Sequence, residues 1–113
     1  MHGMSGRKNI AKGEKMKFWV KARAVNQDIR SEFVVSVCDK EILGKTIDGK
    51  KITENFYKGE LMEESEMLTQ LKKATVGNIF GNNSVEAALN AELVSKDGIK
   101  EFDGVKHAQI FTV

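Results

Sequence analysis

The chain has 113 residues, of which 41% are hydrophobic and 30% charged, with one cysteine and no proline. This length supports one compact domain, and the hydrophobic fraction excludes a wholly disordered chain. No apolar run approaches the roughly 18 residues that a membrane-spanning helix needs, and a single cysteine cannot form an internal disulfide. These features predict a cytoplasmic protein of one domain with no membrane attachment.

Basic residues are concentrated at the N-terminal end. Residues 1–30 carry eight basic and two acidic side chains, whereas residues 31–113 carry ten basic and fourteen acidic ones. Because the first stretch contains three glycines and no long apolar segment, we interpret residues 1–16 as a flexible basic arm and residues 17–113 as a single α+β domain. A basic arm can neutralise phosphates and release counterions. We therefore predict nucleic-acid contacts from Arg7, Lys8, Lys12, Lys15, Lys17, Lys21 and Arg23.

Two other interpretations of this end of the chain stay open. The arm can be a solvated tail that keeps the protein soluble, without any ligand. Met16 is also a plausible start, in which case the residues before it are an extension without function.

Two strands are predicted after the arm. Apolar residues at alternate positions from Phe18 to Ala24 indicate a half-buried strand, because side chains of a strand alternate between its faces. Residues 33–38 are rich in β-branched side chains, which predicts a central strand buried on both faces. Asp48-Gly49 favours a type I′ hairpin, since both residues tolerate positive φ. We expect these early strands to form an antiparallel meander.

A loop and a long helix are predicted next. Residues 54–62 carry two adjacent aromatic side chains in a polar setting and are predicted to form the loop. Acidic residues from Glu63 onward suit the positive end of a helix dipole. Apolar residues then recur at helical spacing as far as Phe80, so we predict one helix up to that residue with Gly81 as its C′ residue.

The C-terminal part is predicted to contain a second helix and a hairpin. Asn83 and Glu86 have the spacing of a capping box and predict a helix over residues 84–94. Strands at 99–102 and 105–113 are expected to pair around an Asp-Gly turn. The predicted fold is therefore α+β, with a small antiparallel or mixed sheet of four to six short strands and two helices packed on one face.

Few residues indicate catalytic chemistry. Cys38, His2 and His107 show no spacing typical of metal ligands, so no metal or other cofactor is predicted. Cys38 with His107 as base and Asp103 as orienting group has the residue types of a nucleophilic site. A cysteine at the end of an apolar strand is, however, more often a small buried hydrophobe. We therefore predict no catalytic residue and favour a protein that is not an enzyme.

The aromatic pair in the predicted loop has two interpretations. Phe56 and Tyr57, followed by Lys58, can form a platform on which bases stack. Aromatic residues near a sheet more often anchor a core, and we prefer that interpretation.

Six short motifs, taken together, carry a resemblance to a known family. They are Val37-Cys38-Asp39, Leu43-Gly44-Lys45-Thr46, Phe56-Tyr57-x-Gly59-Glu60, Ala74-Thr75-x-x-Asn78, Gly81 and Gly104-Val105-x-His107-Ala108-Gln109. The chain resembles the archaeal family named domain of unknown function 424 from about Phe33 to Val113. The resemblance implies an archaeal cytoplasmic protein with a compact α+β fold. It also implies a protein associated with translation, which would bind RNA or the ribosome. It assigns no catalytic residue.

Three hypotheses about function follow. The first is a non-enzymatic accessory protein that binds RNA or a ribonucleoprotein through the basic arm and first strand. The second is a small-ligand-binding protein or enzyme with a polar pocket around Lys45, Asn78 and His107, of which at least two are predicted to share one pocket. The third is a protein-interaction module whose mildly acidic body docks a basic partner.

Overall fold

The computed structural model describes residues 16–27 and 29–112, which form a mixed α+β fold. A six-stranded sheet is accompanied by a separate two-stranded hairpin and three helices. In chain order the elements are β1 (Lys17–Gln27), β2 (Arg30–Asp39), β3 (Thr46–Ile47), β4 (Lys50–Lys51), α1 (Glu54–Tyr57), β5 (Glu60–Glu63), α2 (Glu64–Lys73), β6 (Val76–Phe80), α3 (Asn82–Asn90), β7 (Lys100–Phe102) and β8 (Val105–Phe111). The predicted fold class is confirmed.

The large sheet has the strand order β5-β1-β2-β6-β8-β7. β2 and β6 are parallel, whereas the other neighbouring strands are antiparallel. Parallel neighbours need a crossover connection, and α2 lies in the segment that provides it. β2 and β6 form the centre of the sheet, and residues 35–38 of β2 are buried, as expected of a central strand.

One face of the sheet packs against α2 and α3. Val35 of β2 and Ile79 of β6 belong to the same buried cluster as Met67 and Leu71 of α2 and Val85 of α3. Burial of each such side chain contributes about 1.5–3 kcal/mol. This cluster is the main core of the protein.

The opposite face of the sheet, called here the open face, is covered over only part of its area. Residues 40–58, called here the covering segment, fold across it with a 3₁₀ turn, the β3–β4 hairpin and α1. Ile52 and Tyr57 of this segment are buried against Cys38 and Phe80 of the sheet. The rest of the open face, on the side of β7 and β8, is accessible.

The two Asp-Gly turns behave as expected, but the predicted meander is only partly correct. Asp48 and Gly49 have φ of 52° and 77°, and Asp103 and Gly104 have φ of 52° and 79°. β1 and β2 are antiparallel neighbours, as predicted. β3 and β4, however, pair with each other in a separate sheet, because the chain leaves the large sheet after β2 and folds over its open face.

The prediction of one helix up to Phe80 is wrong. α2 ends at Lys73, and Val76–Phe80 form strand β6. The backbone of Thr75 explains the change, since its N–H donates to the carbonyl of Phe33 and its carbonyl accepts from Thr112. Thr75, the residue before β6, is therefore already hydrogen-bonded to β2 and to the residue after β8, and tertiary pairing overrides the helical spacing of the apolar residues.

The predicted loop at 54–62 is also wrong in part. It contains the one-turn helix α1, in which the Thr53 hydroxyl accepts from the Phe56 N–H, and the edge strand β5. Gly59 precedes β5 at a point where the chain lies against β1. A Cβ atom there would overlap the Val20 carbonyl oxygen and lie 2.8 Å from Lys21 Cα, so only glycine fits.

The start of α3 differs from the predicted capping box. The helix begins at Asn82 instead of residue 84, and it ends at Asn90. The cap comes from another strand, because the buried Asp39 carboxylate accepts from the N–H groups of Asn83 and Ser84 and from the Ser84 hydroxyl. Asp39 lies so close that a Cβ atom at Gly81, whose φ is 127°, would overlap it.

The predicted arm lies outside the described residues except for Met16, which packs against the main core. β1 starts at the next residue. Over residues 16–27 and 29–112, no helix has the length and apolar character that crossing a membrane requires.

Candidate nucleic-acid interface

A groove of about 330 Å³ lies on the open face where β8 and β7 form the margin of the sheet. β8 supplies alternate residues to it, since alternate side chains of a strand point to one face. Ala108 of the same strand faces the main core instead. The groove is lined by Lys50, Gly98, Lys100, Phe102, His107, Gln109 and Phe111.

Polar side chains beneath the groove form a hydrogen-bonded network. The Tyr57 hydroxyl donates to Asn78 Oδ1 at 3.0 Å, and His107 Nε2 lies 2.8 Å from the same oxygen. An amide oxygen can only accept, so Nε2 of the neutral imidazole carries the proton and Nδ1 is left as an acceptor. Burial raises the pKa of Tyr57, which therefore stays a donor. The network holds the imidazole in one orientation at the wall of the groove.

Aromatic rings enclose His107. The Phe80 ring meets the imidazole edge to face with centroids 5.0 Å apart, and the Phe102 centroid lies at 6.1 Å. Such pairs contribute about 0.5–1.5 kcal/mol beyond area burial. Phe111, two rows further along β8, is 69% exposed and presents its ring to solvent. The groove thus has one packed aromatic wall and one free aromatic surface.

The groove is electropositive. Among the described residues that line it, the charged side chains are Lys50 and Lys100, and Lys50 Nζ lies 4.3 Å from the centroid of the Phe102 ring. Burial lowers the pKa of His107, and the charges of Lys100 and Lys50 lower it further. The imidazole is therefore neutral at pH 7, and the two ammonium groups favour an anionic ligand.

His107 should make the stability of the protein pH-dependent. Because its pKa is lowered on folding, the unfolded chain binds the proton more tightly, so the free energy of unfolding rises with pH. This contribution is complete above the ordinary pKa of about 6.5 and is lost as the pH falls through the folded-state value. Urea unfolding between about pH 5 and 7.5 should show a flatter dependence in His107→Gln, whose amide can still donate to Asn78. Equal pH dependence in both proteins would contradict this assignment.

Two of the three residues predicted for a polar pocket meet. Asn78 and His107 are joined by the hydrogen bond described above. Lys45 lies elsewhere: its side chain is exposed, its backbone pairs with Ile42 and Ile52, and it is not part of the described groove. Whether this arrangement binds a ligand stays a prediction.

The described basic residues predicted to contact nucleic acid lie on β1. Lys17, Lys21 and Arg23 occupy alternate positions, so they share the open face with the groove. The Lys21 ammonium donates to the Asn55 carbonyl at 2.7 Å, whereas Arg23 is exposed. β1 is three strands from β8, about 14 Å across the sheet. The remaining predicted contacts, Arg7, Lys8, Lys12 and Lys15, lie outside the described residues.

The geometry does not favour a thiol nucleophile at Cys38. Cys38 and His107 are both opposite Phe80 in the sheet, so two strand spacings, about 10 Å, separate them. Burial raises the pKa of the Cys38 thiol to about 12, and the charges of Asp39 and Glu41 contribute. Within the described residues, no group of three or more histidine, cysteine, aspartate or glutamate side chains could hold a metal ion.

The aromatic pair Phe56-Tyr57 anchors the covering segment. Tyr57 is buried, and Phe56 is half-buried against the same cluster. The two rings pack edge to face with centroids 4.8 Å apart. This arrangement agrees with the preferred interpretation of the pair as a core anchor.

Among the residues that line the groove, only His107 was predicted as a site residue, and the sequence analysis did not identify Lys50, Lys100 or Phe111, on which the chemistry of the groove depends. The position of Lys100 could have been predicted from the sequence, because a two-residue turn at 103–104 places this residue opposite His107. Phe111 lies in the predicted strand 105–113 at an alternate position from His107, so the two share one face, but nothing in the sequence indicated its exposure. The position of Lys50 could not have been predicted from the sequence, because it depends on how the β3–β4 hairpin lies over the sheet.

These features describe a small mixed α+β protein with a basic, aromatic-lined groove beside a half-covered sheet. The chain belongs to the family described as protein of unknown function (DUF424), which matches residues 27–113 and confirms the resemblance. No curated protein matches the chain. The fold is similar to the crystal structure of an uncharacterized conserved protein from Methanopyrus kandleri, with a TM-score of 0.70, 23% identity, and coverage of 86% of this chain and 94% of that one.

Proposed function

We propose that the protein is a non-enzymatic accessory protein that binds single-stranded RNA, free or within a ribonucleoprotein, on the open face of its sheet. The observation that carries this proposal is the groove, where the exposed ring of Phe111 lies beside Lys50 and Lys100. Base stacking on an aromatic ring combined with basic side chains along the backbone is the usual chemistry of single-strand binding.

The basic end of β1 extends this surface. Arg23 shares the open face with the groove and is exposed, and the residues before β1 carry further positive charge. An RNA strand that crosses the sheet from β8 to β1 meets basic groups at both margins.

The proposal can be tested by fluorescence anisotropy with a labelled RNA single strand of about 12 nucleotides and its duplex. Affinity is measured between about 50 and 300 mM KCl, because each phosphate contact adds about −0.7 to the slope of log affinity against log salt. Lys50→Gln with Lys100→Gln should flatten the slope by about 1.4. Phe111→Ala should weaken binding about tenfold with little change in slope.

A matched control is available on α2. Lys72 and Lys73 are exposed near the end of that helix, away from the groove, so their double change to glutamine alters the charge equally. This control should leave the slope unchanged. Equal effects of the two double variants, or no binding at about 50 mM salt, would overturn the proposal.

The contribution of the arm needs its own variant. Deletion of residues 1–15 removes Arg7, Lys8, Lys12 and Lys15 together with Glu14. If the arm contacts phosphates, the deletion flattens the salt slope by about 2 to 4. An unchanged slope would leave the groove as the binding surface and make the arm a solubilising extension.

A small anionic ligand is the second candidate. The observation that favours it is the pair of ammonium groups, Lys50 and Lys100, in a groove whose volume suits a mononucleotide. Competition with a mononucleotide separates the candidates. If the mononucleotide displaces RNA at concentrations near the RNA dissociation constant, the small-ligand candidate is favoured. If the site binds RNA, we expect that a large excess of mononucleotide is needed to displace it.

Translation is the setting that the family resemblance implies, and it stays a proposal. Sedimentation of the full chain with purified ribosomal subunits at two salt concentrations tests it. Co-sedimentation that the Lys50→Gln and Lys100→Gln double variant loses would support ribosome association through the groove.

A further inference from the structure

The imidazole of His107 has one nitrogen that the hydrogen-bonded network beneath the groove does not use. Nε2 lies 2.8 Å from Asn78 Oδ1 and donates to it, and the same oxygen accepts from the Tyr57 hydroxyl. In the neutral ring, Nδ1 therefore carries a lone pair and can only accept. Within the part of the chain that the structure describes, no donor is hydrogen-bonded to Nδ1. Because His107 lines the groove, a bound ligand can supply that donor.

This acceptor is held in place before a ligand binds. His107 is half-buried, and its ring packs edge to face against Phe80 and Phe102. The packing and the hydrogen bond to Asn78 fix the orientation of the ring, so little conformational entropy is lost when a donor binds to Nδ1.

Gln109 is the other residue that brings a side-chain acceptor to the groove. The remaining described lining residues are lysines, phenylalanines and a glycine, whose side chains contain no acceptor. Gln109 is exposed, and its amide can turn to present either its oxygen or its NH₂ group. It therefore adapts to a donor or an acceptor, whereas Nδ1 of His107 requires a donor.

Lys100 attracts the backbone of a nucleic-acid strand to this acceptor. It lies directly opposite His107 in the β7–β8 ladder, where the Cα atoms of a pair are about 4.5–5.5 Å apart. Its ammonium group favours a phosphate. A phosphate oxygen cannot satisfy Nδ1, however, because both atoms are acceptors. The backbone of RNA has one donor of its own, the ribose 2′-hydroxyl, and the backbone of DNA has none.

We propose that His107 distinguishes RNA from DNA by accepting a hydrogen bond from a ribose 2′-hydroxyl at Nδ1. The inference rests on the proposed function and makes it more specific, since base stacking and phosphate contacts alone do not depend on the sugar. Phe111 lies four residues further along β8, about 13 Å away, so stacking there and the sugar contact at His107 can be changed separately.

Three labelled uridine strands of about 12 nucleotides, which differ only at the 2′ position, test this inference. They carry a hydroxyl, a hydrogen or an O-methyl group. The O-methyl group keeps the oxygen but has no hydrogen to donate, so it separates donation from the other properties of a 2′-oxygen. In fluorescence anisotropy at about 100 mM KCl, the full chain should bind the hydroxyl strand about fivefold more tightly than either of the others.

His107→Phe should remove this preference. Phenylalanine keeps an aromatic ring against Phe80 and Phe102. The Asn78 oxygen keeps the Tyr57 hydroxyl as a donor, so no buried acceptor loses its last partner. The variant should bind all three strands with the affinity that the wild type has for the 2′-hydrogen strand.

Two variants in the same groove serve as matched controls. Gln109→Leu removes the adaptable acceptor and should keep the fivefold preference. Phe111→Ala should weaken the binding of all three strands by the same factor, about tenfold.

The outcomes separate this inference from the proposed function. Equal affinity of the wild type for the three strands would overturn the inference and leave single-strand binding in place. So would an O-methyl strand that binds as tightly as the hydroxyl strand, or a preference that survives in His107→Phe. A wild type that binds none of the strands at about 50 mM KCl would overturn the proposed function, and the inference with it.

Discussion

Replacement of Asp39 by alanine is expected to lower the free energy of unfolding by about 3 kcal/mol. The Asp39 carboxylate accepts from the N–H groups of Asn83 and Ser84 and from the Ser84 hydroxyl, all of which lose their partner. Ser84 is fully buried, so water cannot replace the carboxylate there. Urea unfolding and the melting temperature measure the loss, which corresponds to more than about 10 °C.

Asn83→Ala is the control that separates the observed cap from the one predicted from the sequence. The structure uses the backbone N–H of Asn83, which alanine retains, so the change should stay within about 0.5 kcal/mol. A loss in Asn83→Ala equal to that in Asp39→Ala would mean that the Asn83 side chain caps the helix after all.

Gly59→Ala is expected to destabilise the protein by a similar amount, about 3 kcal/mol. The added methyl group would overlap the Val20 carbonyl oxygen and lie 2.8 Å from Lys21 Cα. Both atoms belong to the backbone of β1, so no side-chain rotation relieves the clash. The chain before β5 must move away from β1, which loosens the pairing at this margin of the sheet. Urea unfolding measures the effect.

Gly98→Ala is the matched control for Gly59→Ala. The nearest atom to a Cβ at Gly98 is Ser95 Oγ at 3.8 Å, an ordinary van der Waals distance. The same substitution there should therefore change the free energy of unfolding by less than about 0.5 kcal/mol. Comparable losses at both positions would show that the clash at Gly59 is absorbed without separating β5 from β1.

Local patterns predicted the parts of the fold that depend on local chemistry. The alternation in β1, the β-branched run of β2 and the two Asp-Gly turns each have a cause within a few residues. Strand β6 was not predicted, because it is determined by hydrogen bonds to residues that are distant in the sequence. The helical spacing of apolar residues continues past Lys73, and only the hydrogen bonds of Thr75 to Phe33 and Thr112 make the chain extended there.

The same distinction applies to the candidate site. Asn78 and His107 were selected as residues of the most specific motifs, and they meet because β6 and β8 are neighbours. Their contact could not be predicted from the sequence, because residues 76–80 were assigned to a helix and a helix has no strand register with β8. Lys45 was grouped with them as a polar residue among apolar strands that also belongs to a family motif, but residues 40–58 bring Lys50, not Lys45, to the groove.

The central position of β6 has a consequence for how the chain folds. β2 is complete at Asp39, but its parallel partner begins at Val76, and β8 follows only at Val105. Contacts of such long sequence separation form slowly, because loop closure precedes them. The apolar run of β2 therefore stays unprotected on the β6 side while the intervening chain is synthesised. A hydrophobic strand edge that waits in this way is prone to aggregate, so the nascent chain has most need of a chaperone during this interval.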